Sequence, residues 1–347
     1  MSDAYQGRQA GVANDKDVSR LFVVDAHVHF HSCFSTNDFL SAAARNVAAA
    51  AMDQEPAGHG AARGVLLLTE SAGVDWFGEL SSSVQAGGDA AGQGQGLRPS
   101  CASGAWSFSA TEEPQSLLAT GPDGRQLIII AGRQVVTAER LEVLWLGTTS
   151  QPADGGPTQA VIRAANADGA IAVVPWGFGK WMGRRRRVMA SLLNDPALQG
   201  LFHLGDNSGR PGFLPAPRWF GEVGNRGQRL LPGSDPLPFA TESARPASFG
   251  FHGRGHIGNR TPFTDLKALI EDAAVELTGF GRLESPLRFA RNQLAMQLRP
   301  RHGHAPGPMT NSRDVSGNAT RDGQSAGQPH RSHRSHRSHR SQGAHKP

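Results

Sequence analysis

The stretch "VVDAHVHFH", residues 23–31, places Asp25, His27, His29 and His31 at alternate positions behind a short apolar run. A strand has period two, so Asp25, His27 and His29 are expected on one side, with Ala26, Val28 and Phe30 on the other. Two neutral imidazoles so spaced at a strand end can reach one ion, and histidine is the commonest protein metal ligand. Asp25 is then a third ligand or the group that orients an imidazole from behind. The alternative is a pair of loop histidines with no ion.

A second candidate is "HLGDNSGRPG", residues 203–212. Arg210 could clamp a phosphate or carboxylate with two parallel hydrogen bonds, and Asp206 could bind an ion or orient that arginine. The competing reading is a Gly-Pro turn with an Asx cap. In "GFGKWMG", residues 177–183, Lys180 is either an anion contact or an exposed side chain at a helix start. The spacing is not that of a P-loop, so no nucleotide site is assigned. "RRRR", residues 184–187, covers more than one face of a helix and reads as solvated. Trp176, Trp181 and Trp219 read as packing between helix and sheet.

These groups need a scaffold, and the chain supplies one in alternating segments. "LFVVDAHVHF" reads as a strand and "TNDFLSAAARNVAAAAM" as a helix capped by Thr36 or Asn37. "RGVLLLTE", residues 63–70, is a short continuous apolar strand, and "SAGVDWFGELSSSV" a helix. "GAWSFSA", "QSLLAT", "RQLIIIAG" and "LEVLWLG" follow, with "GPDGR", residues 121–125, as a hairpin turn. Beyond them, "PTQAVIRAANAD", "KWMGRRRRVMASLLND" and "PAPRWFGEVGNRG" read as helices, alternating with the strands "GAIAVVPWG", "GLFHLGDN" and "QRLLPGSD". Alternation of this kind argues for a mainly parallel sheet, open or closed into a barrel.

Three regions follow from composition. Residues 1–19 are a polar arm, 20–298 the folded body with a Gly-rich flexible loop at 85–100, and 299–347 a disordered tail. The tail, with its "HRSHRSHRSHRS" repeat, holds nine Lys/Arg and two Asp, a net charge of +7. The whole chain of 347 residues is +5, which leaves the body at −2. Nucleic acid is therefore a weak partner at most, through the tail. Two cysteines, Cys33 and Cys101, make no disulfide framework and suit a cytoplasmic setting. The N-terminus lacks the apolar core of a signal peptide, and no apolar run has the length of a membrane span.

The motifs resemble, in order, those of the PHP (polymerase and histidinol phosphatase) domain and the wider amidohydrolase-like hydrolases. "VVDAHVHFH" is similar to the first motif of that family and "VLLLTESAG" to a strand ending Thr-Asp-His. "IIIAGRQVVTAERLEVLWLG" is similar to a stretch in which a Gly and a Glu precede a paired strand. "AVIRAANADGAIAVVPWGFGKW" falls where the family has a helix, a strand and His-Pro, and "LLPGSDPLP" resembles its late Gly-Ser-Asp motif. The match runs over residues 21–240. Departures are Glu70 for Asp, Ser71 for His, Gln134 for a bridging Glu, no His beside Val174 and Pro175, and Pro236-Leu237 where a His is expected.

The resemblance implies an α/β fold: a PHP-like distorted TIM barrel with an inserted antiparallel hairpin. It implies one divalent ion, Zn or Mn, held by His27, His29 and Asp235, with Glu70 or Asp206 completing the shell. A metal-activated water would attack a phosphoester or amide-like bond of a small anionic substrate. Asp206 or Asp235 would take the proton, and Arg210, with Arg133, would steady negative charge. The alternative is a barrel that has lost its ion and binds a ligand or protein.

Overall fold

The computed structural model describes residues 20–55, 62–86 and 105–298. The expected arm at 1–19, most of the 85–100 loop, Cys101 and the 299–347 tail lie outside the described residues. All described residues fall within one compact unit, Met1–Arg299.

The chain opens with β1 (Arg20–Val28), α1 (Thr36–Gln54), β2 (Arg63–Leu68) and α2 (Trp76–Ala86). Four short strands and their turns follow: β3 (Ser107–Ala110), β4 (Ser116–Thr120), β5 (Gln126–Ile130) and β6 (Gly132–Val136). Then come β7 (Glu142–Leu146), α3 (Thr158–Ala167), β8 (Ile171–Pro175), α4 (Arg184–Asn194) and β9 (His203–Gly205). The described chain ends with β10 (Phe249–Gly255), α5 (Pro262–Glu271), β11 (Thr278–Gly281) and α6 (Pro286–Leu298).

The strands form two sheets, ordered β11-β10-β1-β2-β5-β4-β3 and β6-β7-β8-β9, and neither closes into a barrel. The distorted TIM barrel expected from the sequence is therefore corrected to a mixed, two-sheet α/β fold. A β/α barrel needs each strand parallel to the next. Among the described strands, only β1–β2, β2–β5 and β8–β9 pair in parallel, isolated bridges aside. β10 runs antiparallel between β1 and β11, and the expected β4–β5 hairpin is antiparallel too. Alternating strands and helices read the same in sequence whichever way the strands pair, and nothing in "ASFGFHGRG" signalled a strand inserted beside β1.

The expected strand "QRLLPGSD" is an extended segment with isolated bridges. Leu204 pairs with Leu230 and Asn207 with Gly233 on one side. On the other, Ala26 donates its amide to Pro232 and Asp235 donates to His27. This segment thus ties β9 to β1. The expected helix at 215–227 is instead two 3₁₀ turns, Arg218–Glu222 and Gly224–Arg226. Pro215, Pro217 and three glycines in thirteen residues disfavour a longer helix.

Local chemistry explains the remaining elements. Ser35, one residue before the expected caps, accepts from the Asp38 amide and starts α1. The helix then lays Phe39, Leu40, Ala43 and Val47 against Val23, Leu66 and Ile129 of the seven-stranded sheet. α3 and α4 cover the smaller sheet through Val161, Ile162, Met189 and Leu192. α5 brings Phe263, Leu266 and Ile270 against Phe22, Val24 and Phe251. Cys33 is an exposed free thiol, and no described helix is long and apolar enough to cross a membrane.

His203 on β9 gives a pH dependence. Its Nδ1 accepts the Arg229 amide at 3.1 Å, and burial, then the Arg229 charge, pushes its pKa down to about 4. The unfolded chain, near 6.5, binds the proton first as pH falls, so stability is lost between about 6.5 and 4. The loss approaches roughly 3 kcal/mol at the acid end. Urea unfolding of the wild type and His203→Asn between pH 7 and 4.5 should show a shallower acid loss in the variant. Parallel curves would exclude the buried neutral imidazole as a source.

Candidate metal centre

β1 does not keep its alternation to the end. Asp25 pairs with Leu66 and Val28 with Leu68, so three steps on β1 match two on β2. That extra residue is a bulge, and a bulge turns the side chains beyond it to the other face. The packing records the switch: Phe22, Val24 and Ala26 share one apolar cluster, whereas Val23, Val28 and Phe30 share another. Asp25, expected on the same side as His27 and His29, is separated from them by this bulge.

The two imidazoles converge beyond it. His27 Nε2 and His29 Nε2 are 3.1 Å apart, and each is 3.6 Å from Asp235 Oδ1. Among the described residues these three form a group able to hold a metal ion. Ligand bonds of about 2.0–2.2 Å put the donors of a tetrahedral ion roughly 3.3–3.6 Å apart. The triangle is close to one face of such a tetrahedron, and two imidazoles with a carboxylate are a donor set suited to Zn or Mn. The residues present therefore fit a single divalent cation.

The protonation states agree with that fit. Burial, His27 and the charges of His31 and Lys180 hold His29 down to about 3, against the upward pull of Asp235. Burial would raise the Asp235 carboxyl, but His27 and His29, then Lys180 and Arg245, outweigh it and keep it below its usual range. At neutral pH the centre thus offers a neutral His29 and an ionised Asp235, both in ligand form. His27 Nδ1 is buried without a hydrogen-bond partner. His31 lies behind His29, stacked at 5.7 Å, and bonds the Pro236 carbonyl.

The "GSD" segment delivers Asp235, and each of its residues has a distinct task. A Cβ on Gly233 would lie 2.2 Å from the His27 backbone nitrogen, so only glycine allows the segment to run this close to β1. Ser234 donates its amide (2.8 Å) and hydroxyl (2.5 Å) to Asp25. Asp25 also accepts from the amides of His27 (3.2 Å) and Ala247 (2.7 Å). It is a fully buried clamp, and burial pushes its carboxyl up to about 6 while those donors pull it down. Asp235 itself has φ 47°, a left-handed backbone that aspartate tolerates better than most residues.

Asn207 was not singled out from the sequence. Its Nδ2 donates to Asp235 Oδ2 at 3.1 Å and to the Trp176 carbonyl at 2.8 Å, which leaves Oδ1 turned to the imidazoles. The signal was an Asn inside the Gly-rich turn already noted for its neighbours. Those neighbours hold each other: Arg210 Nε and Nη2 reach Asp206 Oδ1 and Oδ2, both at 2.8 Å, in a buried pair. Asp206 Oδ1 also accepts the Asn207 amide. The geometry expected for substrate is made within the chain.

Glu70, expected to complete the metal shell, lies outside the triad group. Its Oε1 accepts from Phe77 N, its Oε2 faces Arg133 Nη1 at 3.0 Å, and burial pushes its carboxyl up to about 7. Arg133 also bonds the Val74 carbonyl and Asp75. Lys180 pairs with Glu142 and acts electrostatically on His29 and Asp235.

No family model matches this chain, and no curated protein matches it. Among solved structures, PsfC from Pseudomonas syringae PB-5123 is similar at 14% identity and a TM-score of 0.44. The likeness covers 80% of this chain and 98% of that one.

Proposed function

We propose that this chain is a metal-dependent hydrolase, related to the PHP and amidohydrolase-like enzymes, acting on a phosphoester or amide-like bond of a small anionic substrate. The observation that supports this reading most is the His27–His29–Asp235 triangle, whose edges of 3.1, 3.6 and 3.6 Å suit one tetrahedral ion. When bound, a divalent cation supplies Lewis acidity, activating water and polarising the bond to be cleaved. His27, His29 and Asp235 would hold it.

The other residues prepare the reaction. Asn207 fixes the Asp235 carboxylate, which would accept the proton of the attacking water. Lys180, although paired with Glu142, adds positive potential at His29 and Asp235. Asp206 and Arg210 rigidify the turn that carries Asn207.

Elemental mass spectrometry of the full chain beside His27→Ala/His29→Ala tests this. Seven of the fourteen histidines lie at or beyond His302, so the informative quantity is the difference between the two proteins. About one equivalent of Zn or Mn should disappear in the variant, as expected for a single three-residue site, together with hydrolysis of aryl phosphates or amides. Equal metal contents after reconstitution would remove the proposal.

A second reading, a ligand- or protein-binding module without turnover, is favoured by the closed Asp206–Arg210 pair, which leaves Asp235 as the carboxylate of the cluster. Tight metal binding with no turnover on any phosphoester or amide would select it.

A further inference from the structure

Beside the triad lies a cleft with different chemistry. It has a volume of about 330 Å³, and its walls include Trp176, Trp181, Trp219, Pro217, Arg186 and Arg218. Small-molecule pockets begin at about 300 Å³ and are usually apolar with a few convergent polar groups. The indoles of Trp181 and Trp219 meet at 5.7 Å, and the Arg218 guanidinium lies over the Trp219 ring. Trp181 Nε1 is buried without an acceptor in this wall.

The charge at this cleft is unbalanced. α4 begins immediately after Gly183, and its first turn is four arginines with no acid and no side-chain cap. The positive end of the helix dipole disfavours cations there, by roughly 0.3–1 kcal/mol each. Arg185 is spent on the carbonyls of Gly179 and Arg140. Arg186 and Arg218 are exposed and, among the described residues, make no ion pair with a carboxylate. Packing explains the tryptophans but not this accumulation of positive charge, whereas an anion would relieve it.

The cleft is joined to the metal triad. The carbonyl of Trp176 accepts from Asn207, and the same Asn207 amide group holds Asp235. Lys180, between the wall residues Gly177 and Trp181 in sequence, acts on His29 and Asp235.

We infer that this cleft recognises a flat aromatic ring bearing a carboxylate. The ring lies against Trp176, the partly exposed indole of the wall, and Arg186 and Arg218 take the charge. The inference rests on the hydrolase reading, to which it adds the substrate class: the recognised anion is separate from the bond that is cleaved.

Isothermal titration of the full chain with naphthoate tests it, with naphthamide as the neutral counterpart and acetate as the ringless anion. The variant is Arg186→Ala/Arg218→Ala, both exposed, with its fold checked by circular dichroism. Naphthoate should bind at one site, and the amide and acetate at least ~10-fold more weakly, as charged hydrogen bonds and ring stacking each require. The double variant should weaken naphthoate by ~10-fold or more. Equal binding of naphthoate and naphthamide, an unchanged variant, or no heat with naphthoate overturns the inference. Metal content on the same preparations separates the two readings. Missing metal with variant-sensitive naphthoate binding removes the hydrolase and keeps the cleft. Bound metal without naphthoate binding removes the cleft alone.

Discussion

Replacing Asp25 by alanine is expected to lower the unfolding free energy by about 3–5 kcal/mol, because several buried donors lose their acceptor at roughly 1–3 kcal/mol each. The four donors are the amides of His27, Ser234 and Ala247 and the Ser234 hydroxyl. Besides His27 on β1 itself, they come from two distant segments, so the carboxylate joins β1 to both the Asp235 segment and the loop before β10. Asp25→Asn keeps one acceptor oxygen but turns an NH₂ toward one pair of those donors. Its cost should be intermediate, about 1–3 kcal/mol. The pH dependence gives a further check. The folded pKa, about 6, is raised above the unfolded value, so the folded state holds the proton better. Asp25's contribution therefore becomes less favourable as pH rises from about 4 to 6 and is constant above. Urea unfolding from pH 4 to 8 should show the wild type losing ground to the Asn variant across that window. A pH-independent difference with a cost under ~1 kcal/mol would show that Asp25 is not the clamp.

Gly233→Ala should disable the metal centre without replacing a ligand. The added Cβ would lie 2.2 Å from the His27 nitrogen and 2.7 Å from its Cα, both backbone atoms that cannot swing aside. The segment must move off β1, taking Asp235 with it and weakening the Asp25–Ser234 bonds. Overpacking of this kind costs about 1–3 kcal/mol of stability. Displacing a ligand should reduce metal affinity by about 10–100-fold or more, at least the effect of losing an outer-shell partner. Gly279→Ala on β11 is the control, since its Cβ would meet nothing closer than 3.8 Å. Competition titration with a zinc chelator measures the affinities. Equal values for the two variants would mean that Asp235 is not held in place by the approach of Gly233 to His27.

Much of the local structure was legible because it depends on local chemistry. The apolar runs of β1, β2, β5 and β8 and the Ala-rich α1 are set by side-chain size, burial and period. The pair His27 and His29 could be read from spacing alone, since residues two apart near a strand end share a side. Asp235 was reached through motif resemblance, 206 positions from His29, and no periodicity connects the two.

Tertiary structure decided the rest. One extra residue between Asp25 and Val28 exchanges faces, and a bulge is fixed by pairing with β2, which β1 alone does not encode. Pairing direction was equally hidden: β10 beside β1 turns an expected parallel barrel into a mixed sheet, although the segments alternate as before. The roles of Asp206 and Arg210 depended on whether two opposite charges four residues apart would meet each other or a ligand. Asn207 became a positioning residue because the chain returned at Gly233 to put Asp235 within its reach. The sequence by itself determined which side chains were able to bind a metal. The long-range pairing determined which of them share one point in space, because backbone hydrogen bonds between distant segments, not the spacing within one, set those distances.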